Sequence, residues 1–129
     1  MNRKFLSVIA LGLITMASCT NSEKPAVTSN PFLSDYGTPF ETPAFDKIKN
    51  EHYLPAFEEG MKQQKAEIDA IVKNRAVPDF QNTILAYDKS GELLDKVGNI
   101  FFNLMECSSN EEMQKIAAEI MPKMSAHGD

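Results

Sequence analysis

Histidine, serine and clustered carboxylates are the residues of this chain that could do chemistry. His52 stands beside Glu51 in "NEHYLPAFEEG", a pairing of imidazole and carboxylate that raises the question of zinc hydrolysis. Zinc enzymes of the H-E-x-x-H type need two imidazoles at i and i+4, so that both ligands share one helix face. The order here is Glu-His rather than His-Glu, the other histidine, His127, belongs to a different element, and the motif is absent. A structural histidine at the opening of a helix is the reading that fits.

Ser90 lies in "DKSGELL", which lacks the G-x-S-x-G elbow of a serine nucleophile and reads as helix interior. Asp88, Glu92 and Asp95 could suggest a carboxylate pair. On a helix they form a solvated face, with Lys89 and Lys96 balancing their charge. The glycines are scattered singly, so no phosphate-cradling loop is present. No catalytic and no metal-ligating residue is expected in these 129 residues, and none of them is expected to hold a cofactor.

Charge narrows the partners. The chain has 13 basic and 18 acidic residues, a net charge of −5, and no basic patch interleaved with aromatics, which argues against nucleic acid and anionic lipid surfaces. Arg3 and Lys4 sit at the extreme amino end, so losing that end leaves about −7.

That end reads as residues 1–18 of a lipoprotein-type export signal. A short basic region precedes the apolar run from Phe5 to Met16, which is too short to span a bilayer. "MASC" follows, with Met16 where such signals usually carry leucine, and Cys19 is the expected lipid attachment residue, giving a bacterial envelope protein held to the membrane by its acyl chains. The one other cysteine, Cys107, sits in an apolar stretch and reads as a buried thiol acting as a small hydrophobe. Residues 19–29 are small and polar, a flexible tether.

Residues 30–46, "NPFLSDYGTPFETPAFD", contain three prolines that forbid regular helix, yet Phe32, Leu33, Tyr36, Phe40 and Phe45 supply apolar area. The segment predicts an extended arm whose rings dock on a helical body. That body, 47–129, is expected to be all-α. Leu54, Phe57, Met61, Ile68, Ile71 and Val72 mark the buried stripe of a first helix, opened near Pro55 and stopped at "KNRAVPD".

Phe80, Ile84, Tyr87, Gly91, Leu94, Gly98, Phe101 and Met105 alternate in steps of four and three, the seam of one continuous second helix. Leu93, Val97, Ile100 and Leu104 widen its apolar arc to roughly 200°, which needs neighbours on two sides. Gly91 and Gly98 in that seam predict close approach of a partner helix. The third helix starts with a capping box from Ser109 to Glu112, buries Met113, Ile116, Ala117, Ile120 and Met124, and is kinked or ended by Pro122. Three antiparallel helices and an arm cannot cover the second helix, so the core is expected to be incomplete and the fragment marginal.

The runs "NPFL", "HYLPAFEEGM" and "PDFQNTILAYDKSGELL" resemble the amino-terminal region of bacterial peptidyl-dipeptidases, the dipeptidyl carboxypeptidases of the thimet oligopeptidase family of zinc metallopeptidases. The resemblance covers roughly residues 30–129. It implies antiparallel helices forming part of the outer lobe of a larger helical metallopeptidase, with oligopeptide substrates, loss of C-terminal dipeptides, and zinc bound by a motif far downstream of these residues. No catalytic residue is carried onto this chain, which alone is expected to be inactive. The other reading is a small helical envelope lipoprotein acting as a non-enzymatic binding or adaptor module.

Overall fold

The computed structural model describes residues 30–129. The export signal 1–18, the tether 19–29 and Cys19 lie outside the described residues. Within them the chain forms α1 (Asn50–Lys73), α2 (Ala86–Asp88), α3 (Glu92–Ser108) and α4 (Glu111–Gly128), with no strand among the described residues. Short 3-10 turns at Pro31–Leu33 and Pro39–Glu41 punctuate the arm, and a single π turn over Phe80–Leu85 leads into α2.

α1 opens with an unusual capping arrangement. His52, three residues into the helix, accepts the Lys49 backbone N–H on Nδ1 at 3.0 Å, the part that Glu or Gln plays in a capping box. Pro55 stands in the second turn rather than the first, and the helix runs past it to end at Asn74, as the stop signals predict. α3 packs antiparallel on α1, with Tyr53 and Phe57 of α1 against Phe101. α4 runs parallel to α1. Asn50 donates to Glu112 at 2.8 Å near one end, Lys123 reaches Glu58 at 2.8 Å in the middle, and His127 Nε2 lies 2.7 Å from Gln64 Oε1 near the other end.

The core is built on aromatic contacts. Phe57 and Phe101 meet edge to face at 5.4 Å and 90°, Tyr53 lies 4.9 Å from Phe101, and Phe32 of the arm closes the row 5.4 Å from Tyr53. Val97, Ile100, Met113, Ala117 and Ile120 complete it, so the stripe expected of the third helix is the one that packs.

Several expectations are corrected. The second helix is not continuous from Phe80 to Met105. The chain turns at Lys89–Gly91, Gly91 has φ +85°, and Ser90 therefore sits in a turn rather than a helix interior. Of the two seam glycines, Gly91 does lie against α1, where an added Cβ would collide with the Gln64 side chain, whereas a Cβ on Gly98 meets nothing nearer than 4.0 Å; contact with the backbone of the neighbouring helix is made by Gly60 of α1, where an added Cβ would lie 2.9 Å from the Leu94 Cα.

The arm docks in part. Phe32 is buried and Tyr36 half-buried, but Phe40 is wholly exposed and Phe45 is exposed too. Phe40 and Glu41 have φ of 58° and 54°, left-handed backbone that turns the Phe40 ring away from the body. Val72 and Cys107 are exposed rather than buried, each in the last turn of its helix beyond the packed stretch.

α4 is capped by Asn110, not Ser109: the Asn110 side chain accepts the Met113 N–H at 2.9 Å. It also continues through Pro122 to Gly128. Proline there removes one N–H, and the carbonyl it would have served belongs to Ala118, an exposed residue whose oxygen can turn to water.

Candidate functional site

A groove of about 480 Å³ runs between the arm, α1 and α3, lined by Phe32, Ser34, Glu59, Glu67, Glu92 and Lys96 among others. Each charged group there with a resolved partner is tied to the fold. Lys96 donates to the Phe32 and Ser34 carbonyls at 3.4 and 3.2 Å, and its ammonium sits 4.0 Å over the Tyr36 ring. It clamps the arm instead of balancing Asp88, Glu92 and Asp95, which make no ion pair among the described residues.

Glu67 accepts the Gly91 backbone N–H at 2.8 Å and so caps the turn that leads into α3. Beside it Gln64 packs over Gly91, where a Cβ would collide with its amide, and meets His127. Hydrogen bonds from Lys62, then Gln63, hold the Glu59 carboxyl below the usual carboxylate range, which keeps it ionised and a poor proton acceptor. Burial, then the neighbouring Tyr53, pushes the Tyr36 hydroxyl up, and burial alone raises Tyr53.

The histidines and Ser90 are engaged in structure. His52 caps α1 with Nδ1, while the Asn30 amide bonds to its carbonyl at 2.8 Å. His127 contacts α1 twelve residues further along, about 18 Å at 1.5 Å per residue, so the two imidazoles cannot share an ion. Ser90 Oγ donates to the Tyr87 carbonyl at 2.7 Å, which spends its proton inside the turn. Among the described residues no group of three His, Cys, Asp or Glu side chains is placed to hold a metal, and no helix is long and apolar enough to cross a membrane.

Lys96, Gln64 and Glu67 were not distinguished by the sequence reading. Charged residues at the junction of a glycine turn are the signal that could have pointed to Glu67, since the exposed amide of such a turn needs an acceptor.

His52, His127 and Ser90 are thus held in capping and packing contacts, and the relatives of this chain are peptidases. It matches a piece of a dipeptidyl carboxypeptidase. The protein of that name from Escherichia coli (strain K12) is 46% identical over 98 residues, 76% of this chain, and that from Salmonella typhimurium is 41% identical over 100 residues, 78% of this chain. Oligopeptidase A of Escherichia coli, 23% identical over 99 residues, supports the same peptidase family. The resemblance carried by "HYLPAFEEGM" and "PDFQNTILAYDKSGELL" is met by these relatives. The chain spans 14–15% of their length. No protein-family model matches it.

Proposed function

We propose that these residues are the amino-terminal part of a zinc metallopeptidase that releases C-terminal dipeptides from oligopeptides in the bacterial cell envelope. The observation that carries the reading is the 46% identity to a dipeptidyl carboxypeptidase over three quarters of the chain. Helices of this part serve as wall and support, and the residues present here do not fit a zinc site. When bound elsewhere in the longer protein, zinc would polarise the scissile carbonyl and activate water. The contribution of the residues at hand is to hold the arm, α1, α3 and α4 as one rigid block.

Cys19 is proposed as the acylated residue that tethers the enzyme to the membrane. The leader "MASC" with its basic start and apolar run supports this reading. Palmitate labelling of the membrane fraction should vanish on Cys19→Ala, and undiminished labelling would remove the anchor.

The enzymatic reading is tested on the product of the complete reading frame, purified and given an oligopeptide with a blocked amino end. Stepwise appearance of C-terminal dipeptides by mass spectrometry, lost to a chelator and restored by zinc, is the expected result. A complete frame without H-E-x-x-H, or cleavage only within the peptide, would overturn it.

A further inference from the structure

The short helical segment from Phe80 to Asp88 is turned the wrong way round for a surface element. Phe80, Ile84 and Tyr87, spaced at i, i+4 and i+7, point outward with 62, 59 and 66% of their surface exposed. Its half-buried side carries Asn82, Thr83, Leu85 and Ala86, of which Leu85 alone is a large apolar residue. That side faces α1 across a cavity of about 430 Å³ lined by Glu67, Ile71, Asn74, Asn82, Ala86 and Ser90. An amphipathic segment free to choose would roll its rings toward the body and its amides toward water.

The segment is held against rolling. Asp79 accepts the Asn82 N–H at 2.7 Å, Asn82 accepts the Asp79 N–H at 3.0 Å, and the Asn82 amide donates to the Val77 carbonyl at 2.9 Å. At the far end Glu67 fixes Gly91. Both ends are therefore locked with the rings outward, which makes the exposure a feature of the fold and not of a loose chain.

We propose that the face of Phe80, Ile84 and Tyr87 is the seat on which an apolar surface of the remainder of the same polypeptide docks. The inference rests on the peptidase reading above, and the occupant follows from length: the matched relatives are about seven times as long as the stretch shared with this chain, so most of their mass lies outside the block described here. A second copy of the block would have to bury a patch of three side chains against itself, less than the area that holds a stable dimer.

Hydroxyl-radical footprinting of the wild-type product of the complete reading frame reads Phe80 and Tyr87 directly, with the core residue Phe101 as the protected standard. Both rings should be oxidised at least about fivefold more slowly in the native protein than after denaturation, at all protein concentrations. Oxidation near the denatured rate would overturn the docking seat, as would protection that disappears on dilution, which would assign the face to a second copy. Dipeptide release measured on the same sample separates the two claims. Activity with unprotected rings sinks the seat and leaves the peptidase, whereas protected rings without peptidase activity keep the seat and sink the enzyme.

Discussion

Gly60 of α1 lies directly against the backbone of α3, and its lack of a side chain is what permits the contact. A methyl group there would stand 2.9 Å from the Leu94 Cα, backbone that cannot swing aside. Gly60→Ala should therefore destabilise by about 1–3 kcal/mol through overpacking, in spite of a helix-propensity gain of about 1 kcal/mol. Gly98→Ala meets nothing nearer than 4.0 Å and should be neutral or slightly stabilising. Denaturant midpoints of the two variants check the contrast, and equal effects would refute the assignment of the close approach. Tyr36 carries the opposite kind of defect, a buried hydroxyl with no hydrogen-bond partner. Tyr36→Phe removes it and should stabilise by about 1 kcal/mol near neutral pH. Its pKa in the folded state is raised by burial and by Tyr53, as that of Tyr53 is by burial. The unfolded chain thus ionises first, at about pH 10, so the stability these phenols lend is complete below that pH and is lost as pH climbs above it. The alkaline unfolding midpoint should rise in Tyr36→Phe and rise further with Tyr53→Phe added.

Among the elements, α4 shows how far local propensity can be overruled. Proline inside a helix costs about 3 kcal/mol, and from sequence Pro122 reads as a kink or an end. The structure carries the helix on because the residues beyond it have partners: Met124 packs on the core and His127 meets Gln64. Pro122→Ala should accordingly stabilise by about 1–3 kcal/mol and give a new amide at 122 that is protected from hydrogen exchange; an unprotected amide and no gain would mean that the helix stops there. The stripe of α4 was legible because burial follows the 3.6-residue period wherever one helix lies along another, as Met113, Ala117 and Ile120 do; in α1 only Phe57 of the expected stripe is fully buried, and Tyr53 and Ala56, which complete its packed face, were not anticipated. The break before α3 was not, since the apolar spacing on either side of Gly91 stays in register and only its φ of +85° records the turn. Cys107 was misread for a related reason: periodicity marks a face, not how far the partner helix extends along it. The pair Ala56 and Gly60, small residues four apart within the stripe, was a signal for close approach that the seam glycines obscured. For chemistry, the spacing put His52 at a helix entry but did not specify the cap it forms there, and the clamp made by Lys96 depends on contacts with the arm that no spacing encodes.

Taken whole, the block has eleven residues in its buried cluster against nine large hydrophobic side chains left exposed. A core so small meets the ordering cost of a hundred residues only narrowly, because each ordered residue costs about 1–2 kcal/mol in backbone entropy alone. Local ties such as Asn30 to His52 and Glu67 to Gly91 fix geometry, but they sit at the edge of the core and exchange one hydrogen bond with water for another. Residues 30–129 expressed alone should therefore hold their helices while their packing fluctuates. Far-ultraviolet circular dichroism should report a helical chain, the dye anilinonaphthalene sulfonate should bind, and thermal unfolding should be broad. Joined to the rest of the polypeptide, the same residues should unfold in one cooperative step and cease to bind the dye, since covering Phe80, Ile84 and Tyr87 would add about 1.5–3 kcal/mol for each side chain. A sharp transition of the isolated block with no dye binding would show that its own eleven-residue core suffices, and the outward rings would then need a different explanation from the one that ties them to a larger protein.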